Sequence, residues 1–327
     1  MISVAIPFVR VDASQNPNIS VTATDDPAEP YFQTMTVAFA SIRRWNPDAN
    51  LELITNASPP VRYASLFAEL GVTTRIVPFN HQPPHGFSKR FTASLFLLDA
   101  LADLRKTTLI VDPDVLCIRS LEQMISRSAG KLGALRMDFP ESEDINGLTR
   151  QQAGELHGLL GEPDPAPAHY GGEAYLIPIE YRSNVLTRVD QAWALTLSQH
   201  HAGAPKFTTE EHILSYALRA FDVTNLDRDI KRIWTTHRYR TVDRTEDQLS
   251  LWHLPAEKDR GFLELFPYAT DRDSWFWNAT WEQFTLTAGK AMGLHGRRLP
   301  RLALDTIGWT IRRLEDSAKG LRAKFEH

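Results

Sequence analysis

Residues 107–116, Thr-Thr-Leu-Ile-Val-Asp-Pro-Asp-Val-Leu, set a continuous apolar run directly against two carboxylates separated by a proline. Leu109, Ile110 and Val111 show no polar alternation, as expected of a strand covered on both faces, and such strands belong to sheets held between helix layers. Side chains of an extended chain alternate with period two, so Asp112 and Asp114 are expected to point the same way. Two carboxylates on one side of a strand end are costly to bury and well suited to a divalent cation. Hard cations such as Mg²⁺ take oxygen ligands, often one or two carboxylates together with substrate phosphates. The carboxyl ends of strands are also where open α/β sheets bind their ligands. The alternative is a proline-containing turn carrying two solvated acids.

The pattern around this strand predicts a sheet of similar strands. A strand is expected over residues 2–9, a polar loop over 10–30, and a helix over Tyr31–Trp45 stopped by Asn46-Pro47-Asp48. A strand over Leu51–Thr55, a helix over 61–70 capped by Gly71, and a strand over Val72–Val77 follow. After a Pro-, His- and Asn-rich loop ending at Gly86, the spacing predicts a helix over Lys89–Leu104. Beyond the Asp112 strand come a helix from Leu121, a strand over Gly133–Met137, a polar excursion over 140–168 and a strand over Tyr175–Ile179. Helices over Tyr181–His200 and Thr209–Ala220, strands over Trp234–Thr241 and Leu249–His253, and a helical remainder broken near Gly293–Pro300 complete the chain. Such alternation with short links argues for an α/β fold, a mostly parallel sheet flanked by helices. The expected division is a sheet domain over 1–270 and a helical C-terminal extension with a basic tail over 271–327.

Composition narrows the class. The chain has 327 residues, 43% apolar and 23% charged, which is ordinary for a globular protein. Its apolar stretches fall short of the ~20 residues of a membrane span. The start, Met-Ile-Ser-Val-Ala-Ile-Pro-Phe, lacks a basic region and enters a strand at once, so no signal peptide is expected. One cysteine, Cys117, excludes an internal disulfide framework and suits a reducing compartment, hence the cytoplasm. Residues 285–327 hold nine Lys and Arg against four acids, in a chain of net charge −4. With Trp275, Trp277 and Trp281 just before it, this tail fits either peripheral contact with the inner face of a membrane or a solvated helical face. No nucleic-acid partner is expected.

Four stretches, in order, carry a family resemblance. They are Leu109-Ile110-Val111-Asp112-Pro113-Asp114-Val115, His169-Tyr170-Gly171-Gly172-Glu173-Ala174-Tyr175-Leu176-Ile177, Thr208-Thr209-Glu210-Glu211-His212-Ile213-Leu214, and Trp252-His253-Leu254-Pro255-Ala256-Glu257-Lys258. Together they resemble the GT-A class of nucleotide-sugar glycosyltransferases, most nearly the family-8-like group of glycogenin and bacterial galactosyltransferases. The second stretch lacks that group's Asn-x-Gly form, and the fourth lacks its Lys-Pro-Trp ending. The resemblance implies transfer of a hexose from a nucleotide-diphosphate sugar, UDP-linked, to a glycan or lipid-linked acceptor, with configuration retained.

By the same resemblance, Asp112, Asp114 and His253 would hold Mn²⁺ or Mg²⁺, with Asp112 also reaching the ribose and Lys258 neutralising the leaving diphosphate. Lys89 would contact a phosphate or the sugar, and Pro7 and Phe8 would border the nucleobase. Gly171 and Gly172 would let the backbone approach the donor sugar, with Glu173 bonding its hydroxyls and Glu210 touching sugar or acceptor. Each has a plainer alternative: a structural histidine, a surface lysine, a tight turn, or acids favoured at a helix start. A haloacid-dehalogenase-type phosphatase also carries DxD, but after the first strand and with Thr or Val where Leu116 stands. A nucleotidyltransferase shares sheet and metal but needs a Gly-rich loop after strand one, which Val9-Arg10-Val11-Asp12 does not supply. A non-catalytic nucleotide-sugar-binding protein on the same fold is the remaining alternative.

Overall fold

The computed structural model describes residues 2–11, 28–88, 91–236 and 239–295. Its strands, in chain order, are β1 (Ser3–Phe8), β2 (Asn50–Thr55), β3 (Val72–Ile76), β4 (Thr108–Val111), β5 (Val115–Cys117), β6 (Leu132–Met137), β7 (Asp144–Ile145), β8 (Leu148–Thr149), β9 (His169–Ile177), β10 (Val223–Asn225), β11 (Ile230–Arg232) and β12 (Leu251–His253). The helices are α1 (Glu29–Trp45), α2 (Val61–Glu69), α3 (Phe96–Ala102), α4 (Glu122–Ser128), α5 (Arg150–Leu159), α6 (Ile179–His201), α7 (Glu210–Leu218), α8 (Gly261–Thr270), α9 (Trp275–Asn278) and α10 (Trp281–Ala291).

Seven strands form the main sheet in the order β10-β6-β9-β4-β1-β2-β3. The sheet is parallel except for β9, which runs antiparallel to both β4 and β6. This is the mostly parallel α/β sheet that the alternation predicts. Its central strands β1, β4 and β9 are buried on both faces, which is why β1 and β4 lack polar alternation. Val4, Ile6, Leu109 and Val111 join one apolar cluster with α1, while Ala5, Ile54 and Ile110 join a second with α3, α6 and α7. A second, three-stranded sheet, β11-β12-β5, continues directly from the end of β4.

Several elements differ from expectation. The predicted helix over Lys89–Leu104 is a 3₁₀ turn over Thr92–Leu95 followed by the short α3, with Phe91 in the left-handed region at φ 61°. A helix cannot propagate through that residue, so it starts after it. No strand spans Trp234–Thr241 among the described residues. Trp234 N–H donates to Thr241 Oγ1 at 2.9 Å and Thr241 N–H to the Trp234 carbonyl at 3.0 Å, closing a loop instead. The strand expected over Tyr175–Ile179 begins at His169, so Gly171 and Gly172 lie inside β9 rather than in a turn. Helix α8 falls where the sequence predicts no element, its pattern interrupted by the internal Pro267.

The described part of the extension packs onto the sheet domain. Phe276, Phe284, Ala288 and Met292 belong to the same cluster as Phe39 and Leu116. Arg44 lies 4.7 Å from the Trp45 ring centroid and 4.6 Å from that of Phe284. Trp275 and Trp277 pack against this cluster, and Trp277 Nε1–H donates to the Ala269 carbonyl at 3.0 Å. No helix among the described residues is long and apolar enough to cross a membrane. Most of the basic tail, residues 296–327, lies outside the described residues.

Phe284 is fully buried among Trp45, Trp275 and Phe276. Phe284→Ala is therefore expected to cost about 3–5 kcal/mol, the range for truncating a buried aromatic. Urea unfolding measures this, and a loss under about 1 kcal/mol would show that α10 is not part of the main core.

Candidate active site

The site starts from the chain's path after β4. Asp112 N–H still bonds the Glu173 carbonyl of β9 at 3.1 Å, and then Pro113 and Asp114 turn the chain into β5. Convergence of the two carboxylates thus comes from this turn, not from the alternation of an extended strand. The small sheet then recruits residues far away in sequence. β5 pairs antiparallel with β12, with Val115 opposite His253, and β11 pairs parallel with β12, with Arg232 beside His253. Leu254 N–H closes onto the Asp114 carbonyl at 3.0 Å.

The result is a cluster of charged groups. Nε2 of His253 lies 3.2 Å from Asp112 Oδ2 and 3.3 Å from Asp114 Oδ1. Lys258 Nζ donates to the other Asp114 oxygen. Asp114 is 1% exposed. Burial would raise its carboxyl, but the charges of Lys258 and His253 outweigh burial and hold it well below the usual range. His253 is likewise buried, and the Asp114 charge overcomes desolvation to raise its imidazole well above the ordinary value.

One ligand atom from each of Asp112, Asp114 and His253 lies within 4.8 Å of the others. Asp114 Oδ1 is buried without a hydrogen-bond partner, an orphan that a bound cation satisfies. Two carboxylates and one imidazole are a donor set suited to Mn²⁺ or Mg²⁺. The residues fit the ion that the sequence implies.

Behind this cluster lies a second layer of buried charge. Arg232 donates from Nε to Glu173 Oε1 and from a terminal nitrogen to Glu211 Oε1 at 2.6 Å. Glu211 also accepts from Gly172 N–H at 2.9 Å and lies 3.2 Å from His169 Nε2. Glu173, expected to bond sugar hydroxyls, is fully buried beside His253 and Arg232. Gly171 and Gly172 make room for these carboxylates, and neither takes the left-handed conformation of a turn glycine. A Cβ on Gly171 would overlap Glu173 Oε2, and one on Gly172 would come 2.9 Å from Glu210 Oε1.

Glu210, at the start of α7, is buried and its Oε2 has no partner. Burial, followed by the charge of neighbouring Glu211, pushes its carboxyl up to about 8. Pro7 and Phe8 end β1, and the Phe8 ring lies 5.5 Å from that of Tyr31 and 5.3 Å from that of Phe32. Tyr31 in turn faces Lys258 at 5.8 Å, linking the β1 end to the acidic pair. Lys89 lies outside the described residues. Arg232, Glu211, His169 and Tyr31 are the members of the site that sequence reasoning did not single out. His169 and Glu211 stand inside two of the stretches quoted for the resemblance, whereas Arg232 has no local signal.

No family model matches this sequence, and no curated protein matches it. Solved structures do. The galactosyltransferase LgtC, in complex with donor and acceptor sugar analogues, superposes with a TM-score of 0.52 at 15% identity, over 91% of this chain and 98% of that one. The bifunctional glycosyltransferase WbbM in its apo form gives 0.52 at 10% identity, over 86% of this chain and 51% of that one. The apo form of the glycosyltransferase GlyE from Streptococcus pneumoniae gives 0.51 at 12% identity, over 88% and 64%.

The Glu210 carboxyl has a testable linkage. Its folded-state value of about 8 lies above the ordinary value of 4.5, so between those pH values the folded chain holds a proton that the unfolded chain has lost. Stability contributed by this group therefore falls as pH rises through that window, by at most about 1.4 kcal/mol per pH unit. Glu210→Gln removes the effect, and the Tm of the variant relative to the parent is expected to rise from pH 5 to pH 8. A constant difference across that range would show that Glu210 is ionised in the folded chain.

Across nearly its full length, then, this chain has the GT-A glycosyltransferase fold.

Proposed function

We propose that this protein is a metal-dependent glycosyltransferase. It moves a hexose from a nucleoside-diphosphate sugar, UDP-linked in this reading, to a glycan or lipid-linked acceptor with retention of configuration. The observation that carries the proposal is the meeting of Asp112, Asp114, His253 and Lys258 in one cluster at the end of β4, with Asp114 and His253 buried and Asp112 at its open side. A tight turn or a solvated pair of acids would not recruit a histidine and a lysine from another sheet strand and its following turn.

The bond to be broken joins the anomeric carbon of the sugar to the diphosphate, and its departure leaves negative charge on phosphate. A divalent ion held by Asp112, Asp114 and His253 supplies Lewis-acid stabilisation of that charge. Lys258 adds a compact cation on the same side. The half-buried Pro7 and Tyr31 stand at the end of β1, where the nucleobase is placed in this reading, with the buried Phe8 ring packed behind Tyr31. Gly171 and Gly172 leave room for the Glu173 and Glu210 carboxylates, which stand between the β9 backbone and the donor sugar in this reading. Glu210, its carboxyl pushed upward by burial and by Glu211, is placed to meet the sugar or acceptor in this reading. For retention, the acceptor oxygen bonds the anomeric carbon on the face the diphosphate leaves, and the departing phosphate takes the acceptor proton. The excess of basic residues over 285–327 supports a lipid-linked acceptor at an anionic surface.

A thermal-shift titration with UDP, GDP and their hexose conjugates, with and without Mn²⁺, tests the reading. Binding at a hundredfold excess over Kd is expected to add about 2.7 kcal/mol to stability, seen as a Tm rise of the protein. This rise should need Mn²⁺ and vanish in Asp114→Ala. Absence of any metal-dependent nucleotide effect in the parent protein would overturn the transferase assignment.

A further inference from the structure

The imidazole of His253 has carboxylates at both edges, and its buried Nδ1 makes no hydrogen bond, Glu173 standing nearest to it. Its Nε2 faces the two aspartates at 3.2 and 3.3 Å, while its Nδ1 lies 3.5 Å from Glu173 Oε1. Glu173 is fully buried, comes from the middle of β9 in the main sheet, and is held in turn by Arg232. Arg232 and His253 are register neighbours in the small sheet, so the two strands present them side by side. Glu211, Gly172 and His169 then fix the far side of Arg232 through the hydrogen bonds given above.

We propose that Glu173 is a positioning residue for His253, acting on the ring through Nδ1 so that Nε2 is presented to the metal, with Arg232 holding Glu173 in place. This inference rests on the metal reading of Asp112, Asp114 and His253.

Three observations carry it. Rotation of an imidazole about its terminal torsion is broad, so a ring with nothing on its far nitrogen has no fixed orientation. A carboxylate on that nitrogen fixes tautomer and ring together, and raises ligand basicity. Second, Arg232 already has a counter-ion in Glu211, so Glu173 is not required to neutralise it. Third, the chain gives up a side chain at 171 to admit this carboxylate, because any Cβ there would overlap Glu173 Oε2 and come 3.0 Å from the Arg232 guanidinium. Glu173 Oε2 is also left without a hydrogen-bond partner, a cost to stability that a purely structural ion pair would avoid. The hydroxyls of a donor sugar are thus not what Glu173 serves; it serves the ligand behind them.

The test is a titration with Mn²⁺ alone, followed by the loss of the free-ion EPR signal, on the parent, Glu173→Gln, His253→Gln and the double variant. Glu173→Gln keeps side-chain volume and is expected to weaken Mn²⁺ binding about 10- to 100-fold, the usual range for removing a carboxylate that orients a metal-bound histidine. The nitrogen modulation from coordinated imidazole in pulsed EPR should weaken with it. The double variant should bind no more weakly than His253→Gln, because a residue acting through His253 has no effect once His253 is gone. Should Glu173→Gln fail to fold, Gly171→Ala displaces the same carboxylate without removing a charge and is expected to give the same loss. Affinity within twofold of the parent in the folded variant, or losses that add in the double variant, would overturn the positioning role alone. If the parent itself binds no Mn²⁺, the metal reading falls, and this inference with it.

Discussion

The antiparallel pairing of Val115–Cys117 with Leu251–His253 ties the loop leaving the main sheet to a strand late in the chain, and the site depends on its register. With Val115 opposite His253, the imidazole reaches both aspartates, and the next turn brings Lys258 onto Asp114, 144 residues away in sequence. A shift of one residue would turn His253 to the other face of the small sheet. The same strand carries β11 as its parallel neighbour, which is how Arg232 arrives beside His253. Backbone pairing, rather than any attraction among the charged groups, brings the site together.

Once assembled, the site concentrates acid. Asp112, Asp114, Glu173, Glu210 and Glu211 are gathered near Lys258, Arg232, His253 and His169. Taking ions out of water costs several kcal/mol each unless they are paired. The pairing is uneven. Glu211 and Asp114 are held ionised by neighbouring cations, whereas Glu210 has none at hand and is pushed toward its neutral form. One group of carboxylates therefore divides into Asp114 and Glu211, held charged, and Glu210 at the start of α7, pushed toward neutrality. A divalent cation offsets the surplus at the open end of this cluster.

Much of this was legible in the sequence, for reasons that differ by residue. Leu109, Ile110 and Val111 announce a doubly covered strand because burial on both faces erases alternation, and the acids at its end announce a cation because little else suits them. The turn at Pro113 entered only as the alternative with solvated acids, whereas it is what brings the two carboxylates together. His253 and Lys258 were reachable only through the resemblance to a family, since a contact closed over so long a sequence separation leaves no local pattern. Arg232 had no signal at all, because what buries it lies on β9 and α7. Gly171 and Gly172 looked like a turn because paired glycines favour one, yet here they are cleared space inside a strand. The late start of α3 and the existence of α8 were hidden by a left-handed Phe91 and an internal Pro267.

The long closure between β5 and β12 also gives the site a place in time. Strands β1, β2 and β3 lie within the first 76 residues and pair with one another, so their partners are close in sequence. Contacts of large sequence separation form at a higher entropic cost and set the pace of folding. Asp114 therefore waits, without His253 or Lys258, until the last strand of the small sheet docks. An ion that binds only the finished cluster stabilises that state and no earlier one. A metal held there would in this sense be a completion mark: its binding would report that the two ends of the fold have met in register.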